Sequence, residues 1–214
     1  PDRTWYNRIA DMEWGRAIGS IRFAGGDVLM RVEAMDQVGG YREDLIAGED
    51  PELCVRLRAA GWQVVRVDEE MTRHDADMTR FGQWCRRSVR GGYVYAQGLV
   101  LHGGPPEFYC WRPTLRIWFW AAVLPAVAGL LCVVHNPLWL LLLGLYPLQM
   151  LWIAARHRQD AGSRAAALRY GFFCVLARWP QWFGQCLYVF RSGLGRRQEL
   201  IEYKQEAAPA EARV

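Results

Sequence analysis

The chain has 214 residues, enough for one domain or two small ones. Its formal charge of +4 is carried almost wholly by arginine, Lys204 being the only lysine; no recognised nucleic-acid motif accompanies it, and arginines flanking apolar segments point to a membrane surface rather than a nucleic-acid partner. Cys54, Cys85, Cys110, Cys132, Cys174 and Cys186 form no CxxC pair and have no histidine at metal spacing, which excludes a disulfide framework and a zinc site.

Hydrophobic residues make up 52% of the chain, yet its mean hydropathy is only -0.08. Two unlike halves explain this: charged and soluble in character to about residue 110, with long apolar runs beyond it. The chain begins at Pro1 without a signal peptide and reads as a piece of something longer.

In chain order, residues 5–18 predict a helix whose apolar face includes Trp5, Ile9, Met12 and Ile18. Residues 21–30 alternate around Gly25-Gly26 and predict a strand with a close backbone approach. Residues 31–38 predict a short helix ended by Gly39-Gly40. Residues 50–60 predict a helix burying Leu53, Leu57 and Ala60, with Asp50 as its cap, Pro51 in its first turn and Gly61 at its end. Residues 63–67 predict a strand that runs into the acidic turn Asp68-Glu69-Glu70. This order suits a packed α/β layer, but the strands are too few to complete a doubly wound sheet, so the missing half is expected upstream.

Glu49 and Asp50 stand out at the junction of a glycine-containing turn and a helix. A carboxylate placed there can face a cleft and act as a general base. It can equally serve as a helix cap and nothing more. Taken alone, the pair leaves both open.

The surrounding pattern resembles the C-terminal half of a membrane-associated family 2 glycosyltransferase of the GT-A fold. The matching pieces are Gly25-Gly26-Asp27-Val28-Leu29-Met30-Arg31, Val38-Gly39-Gly40-Tyr41, Gly48-Glu49-Asp50, Arg56-Leu57-Arg58 with Gly61-Trp62, and His74-Asp75. The resemblance implies an α/β partial GT-A (nucleotide-diphospho-sugar transferase) domain over residues 1–110, followed by an α-helical membrane region. It implies inverting transfer of a sugar from a nucleotide-sugar donor to an acceptor hydroxyl. Asp50 would be the catalytic base with Glu49 beside it, and Gly25, Gly26 and Asp27 would line the donor-sugar and acceptor pocket. The divalent cation, Mg or Mn, would be held mainly by the upstream half. Asp75-Ala76-Asp77 is the only literal Asp-x-Asp, but it follows the base and is not that half's metal motif. His74 is a metal or diphosphate candidate by the same resemblance, or a surface loop histidine.

Processive polysaccharide synthases of this family carry Gln-x-x-Arg-Trp after the base. Here Gln83 and Arg86 are present, but Arg87 stands where the tryptophan would be, which favours addition of a single sugar. Arg86, Arg87 and Arg90 suit a donor diphosphate or, equally, anionic lipid headgroups.

The apolar half reads by run length and flanking charge. Residues 117–134 and 137–155 are uncharged runs of the length that crosses a bilayer, joined only by His135 and Asn136. Arg112 and Arg116 precede the first run, and Arg156, Arg158, Arg164 and Arg169 follow the second, placing both flanks in the cytoplasm. Residues 170–190 carry Arg178 at their middle, beside Trp179-Pro180, and predict a broken interfacial or re-entrant segment. The membrane region thus covers 111–197, and 198–214 form a polar tail.

The expectation is a transferase at the cytoplasmic face of the inner (plasma) membrane acting on a lipid or lipid-linked acceptor. A processive polysaccharide synthase and a non-catalytic membrane scaffold derived from a glycosyltransferase stay open.

Overall fold

A computed structural model describes residues 4–14, 18–45, 47–69 and 77–195. The described residues are mostly helical (67%). The elements in chain order are α1 (Trp5–Glu13), β1 (Gly19–Ser20), α2 (Val32–Val38), α3 (Glu49–Ala59), β2 (Val65–Arg66), α4 (Phe81–His102), α5 (Trp111–Trp118), α6 (Leu124–Val134), α7 (Leu145–Arg156), α8 (Arg164–Leu176) and α9 (Arg178–Gly193). A π-helical turn, Phe119–Val123, joins α5 to α6, and a 3-10 segment, Pro137–Gly144, leads into α7.

The expected α/β layer is not formed among the described residues. β1 and β2 make one antiparallel ladder, Gly19 opposite Arg66 and Ser20 opposite Val65, extended by the Ile21 amide donating to Val64. Residues 21–30 therefore run as irregular chain rather than as a strand, and 63–67 pair over two residues only. A strand is stable through its neighbours, and neither segment has a second one. The first helix ends at Glu13, short of Ile18.

The helices of the charged half form where local signals agree. α2 stops at Gly39, whose φ of 74° satisfies the left-handed C-terminal position. α3 buries Leu53 and Leu57 against Ala34 of α2, with Met30, Met35, Val38 and Trp62 packed around them. Glu49, Asp50 and Glu52 in its first turn and Arg56 and Arg58 in its last match the helix dipole at both ends.

α4 is the central beam. Its start is fixed by Gln83, whose amide oxygen accepts from the Thr79 and Arg80 amides at 2.7 and 2.9 Å. Trp84, one residue on, is buried with Ala10 of α1, Met78 and Ala177. Further along, α4 crosses α9 at very close range. A Cβ at Gly92 would run into the Gln181 backbone and one at Gly184 into the Val89 backbone, while Tyr93 and Tyr188 meet edge to face at 5.1 Å. α1 joins the charged half to the apolar half from another side, through Ile9 packed on Ile153, Tyr170 and Val175.

Trp111–Val134 and Pro137–Arg156 are each long and apolar enough to cross a membrane. The first spans 24 residues, about 36 Å of helix against a hydrocarbon core of about 30 Å. Only 22% and 11% of their most apolar windows are buried, so they are not a core pair wrapped by the described chain. The π turn ahead of Pro125 has a plain cause. Proline has no N–H and its ring crowds the carbonyl four residues back, here Ala121, and the widened turn makes room. Residues 170–190 fall across two helices, α8 ending at Leu176 and α9 beginning at Arg178.

Candidate active site

The start of α3 carries the acidic pair, but Asp50 is not the cap that the sequence predicts. The residue preceding the helix is Gly48, in the left-handed region at φ 78°, and Glu49 and Asp50 are already its first two helical residues. No side chain caps this end. Asp50 is therefore not spent on a cap.

Gly48 is required on two grounds. Its backbone angle favours a residue without Cβ, and a Cβ there would collide with the Val94 side chain of α4. The α3 start is thus pressed directly onto the central beam, which fixes where the acidic pair points.

The Asp50 carboxylate accepts a hydrogen bond from the Tyr41 hydroxyl through Oδ1 at 3.1 Å. Its other oxygen, Oδ2, lies 3.8 Å from where a Cβ would stand on Gly26. Gly25, Gly26 and Asp27 are exposed, so the loop that this oxygen faces lies at the surface. Burial pushes the Asp50 carboxyl above its ordinary range; the Tyr41 hydrogen bond opposes this, and the negative charges of Glu49 and Asp27 add to it. The Tyr41 hydroxyl is in turn pushed up by burial and by its bond to Asp50, so it stays a donor.

One turn into the helix lies a feature the sequence reading missed. Glu52 is 2% exposed and is held from two sides. Arg56 donates to it from Nε and Nη2, the latter at 2.8 Å, and Nε2 of His102, at the end of α4, meets Oε1 at 2.8 Å. Arg56 also donates to the Val38 carbonyl at 2.6 Å, tying in the end of α2. Burial pushes the Glu52 carboxyl up, but the Arg56 and His102 hydrogen bonds outweigh it and hold it below the ordinary range. The i,i+4 spacing of Glu52 and Arg56 was a readable signal; His102, fifty positions away, offered none.

A third tie closes the far end of α3. Glu107 receives Arg58 and Arg22, each at 2.8 Å, and Phe23 lies under both guanidinium groups at 5.3 and 5.8 Å. The loop bearing Gly25-Gly26 is thereby tethered to the helix bearing Asp50.

The structure brings Asp50, Glu49, Gly26, Asp27 and Tyr41 together. Arg86, Arg87 and Arg90 lie elsewhere, one to two turns of α4 before Val94. Arg86 is exposed, and Arg87 is ion-paired with Glu13 of α1 at 2.6 Å. His74 lies outside the described residues, as does most of the Asp75-Ala76-Asp77 stretch. Trp84 is fully enclosed and offers no face for a sugar.

Residues 3–175 match the sequence model of glycosyl transferase family group 2. The chain belongs to that family. No curated protein and no solved structure gave a match. The match covers both the acidic pair and the two helices long and apolar enough to cross a membrane, so this glycosyltransferase carries its family resemblance into the apolar half. Its role is glycosyl transfer, with a nucleotide-sugar donor and an acceptor as its substrates. Family 2 glycosyltransferases commonly use divalent cations. Among the described residues, however, no group of three or more His, Cys, Asp and Glu side chains is gathered to hold one, so these residues make no divalent-cation centre.

Proposed function

We propose that this protein is an inverting glycosyltransferase that uses Asp50 as its general base and a lipid or lipid-linked hydroxyl as its acceptor, at the cytoplasmic face of the inner membrane. The observation that carries the proposal is the Asp50 carboxylate itself. It stands at a helix start without serving as a cap, one oxygen held by Tyr41 and the other facing an open glycine loop, in a chain of this family.

The reaction follows from that placement. The acceptor hydroxyl oxygen attacks the anomeric carbon of the donor sugar, and a new C–O bond forms on the face opposite the nucleotide. The bond from that carbon to the diphosphate breaks, and its electron pair leaves with the nucleoside diphosphate. The hydroxyl proton passes to Asp50. A base works best with a pKa near the operating pH, and the raised Asp50 carboxyl moves in that direction. Glu49 orients the acceptor from the next position, and Gly25, Gly26 and Asp27 line the approach.

Two observations support a membrane-borne acceptor and single-sugar addition. The helix against which Gly48 is pressed also packs on α9, between the catalytic half and the apolar helices. Trp84 is buried, so the tryptophan platform of a processive synthase has no counterpart at this position.

The test is transfer by the full-length protein in its native membranes, using radiolabelled UDP-, GDP- and dTDP-linked hexoses. Label is expected in the lipid fraction as a single added sugar, with the anomeric configuration inverted by NMR. Label in a long polymer would replace this reading with the processive one, and a retained configuration would remove the one-step displacement.

A further inference from the structure

The two oxygens of Asp50 have different surroundings, and one residue makes the difference. Tyr41 follows Gly39 and Gly40, at φ 74° and 69°. Two successive left-handed residues turn the chain sharply out of α2 and carry the tyrosine to the start of α3. Its hydroxyl then donates to Oδ1 at 3.1 Å. On the other side, Gly26 supplies no side chain, and Oδ2 keeps an open approach.

Given the assignment of Asp50 as the base, we propose that Tyr41 is a positioning residue: it holds Oδ1 and thereby makes Oδ2 the atom that receives the acceptor proton. Without this bond the carboxylate can rotate about χ2, and either oxygen can turn toward the loop. With it, one lone pair is aimed at the space in front of Gly26, and the oxygen that takes the proton is the one not already accepting a hydrogen bond. A hydrogen bond to the ionised carboxylate also favours the ionised form. The charged and titratable groups acting on the pair are Glu49 and Cys54 on α3 and Asp27 on the glycine loop. Each of them, when ionised, is negative, so Tyr41 alone in this set favours the Asp50 anion.

The test is Tyr41→Phe in the full-length protein, which removes one oxygen from a residue that is 43% exposed and keeps its ring. A water-soluble carbodiimide reacts with protonated carboxyl groups, so its labelling of Asp50, read by peptide mass spectrometry between about pH 4 and pH 8, follows the titration without any substrate. The labelling midpoint is expected to move to higher pH in Tyr41→Phe, with Asp50→Asn as the blank. In parallel, kcat for the hexose donor that the wild type accepts is expected to fall ~3- to 10-fold with donor KM within about twofold, the size of one lost hydrogen bond. An unmoved midpoint overturns the proposal, and so does an unchanged kcat. A fall in kcat with an unmoved midpoint marks a packing role only and also overturns it. Failure of the base assignment reads differently: Asp50→Asn would keep transferring sugar whatever Tyr41→Phe does.

Discussion

Glu52 on α3 and His102 at the end of α4, fifty positions apart, meet at 2.8 Å inside the protein. Arg56 holds the same carboxylate and the Val38 carbonyl, so three helices converge on one buried anion. Removing one partner of such a group leaves the others uncompensated. Glu52→Gln is therefore expected to destabilise the protein by about 2–4 kcal/mol, read as a lowered denaturation midpoint in detergent. The pH dependence has a definite sign. The folded carboxyl lies below its unfolded value, so its stabilisation is present above the unfolded pKa and is lost as pH falls through the folded one. Wild-type stability should drop on acidification below about pH 4.5, and Glu52→Gln should drop less.

Gly48→Ala tests how firmly the acidic pair is seated. The substitution meets both a left-handed backbone and the Val94 side chain. Gly61, at φ 90° with nothing near its missing Cβ, meets only the first. Gly61→Ala should cost about 1–2 kcal/mol and Gly48→Ala clearly more. Val94→Ala should recover part of the difference in a double-mutant cycle, since the two positions touch. Equal costs at the two glycines would remove the steric argument.

Much of this arrangement was legible, and the part that was not has a common cause. α2, α3 and the two long apolar helices follow from local signals: apolar spacing, glycine stops, and runs of bilayer length. The strand expected over 21–30 failed because alternation says nothing about whether a partner strand exists, and β2 pairs with the chain for only two residues. The cap at Asp50 failed because Gly48, by taking a positive φ, let the helix begin at Glu49. Asp50 was readable as a candidate base through its neighbours in sequence. Its bond to Tyr41, and the convergence of Glu52 with His102, depend on how the helices pack, and no spacing in the sequence encodes that.

Activity should fall on acidification at a higher pH than an ordinary carboxylate would give. Burial and the charges of Glu49 and Asp27 hold the Asp50 carboxyl up, and a base must be ionised to work. The acid limb of kcat/KM, which reports the free enzyme, is expected above about pH 4. Glu49→Gln removes one negative neighbour and should move that limb down. An upward movement would contradict the electrostatic account.

The hairpin reading makes a prediction about sidedness. His135, in the short link between the spanning helices, should face outward, and Arg158, beyond α7, inward. In intact cells, an impermeant maleimide should label His135→Cys, whereas Arg158→Cys should react only after lysis, each read at its own peptide. The reverse pattern would invert the orientation.

The central claim is that the Asp50 carboxylate takes the acceptor proton, and Asp50→Asn in the full-length protein tests it most directly. The variant keeps the shape and the ability to accept from Tyr41, but loses the basic oxygen. Transfer should fall by about 10²- to 10⁴-fold while donor affinity, measured by calorimetry, stays within about threefold of the wild type. Turnover close to wild type, with donor binding intact, would contradict the account.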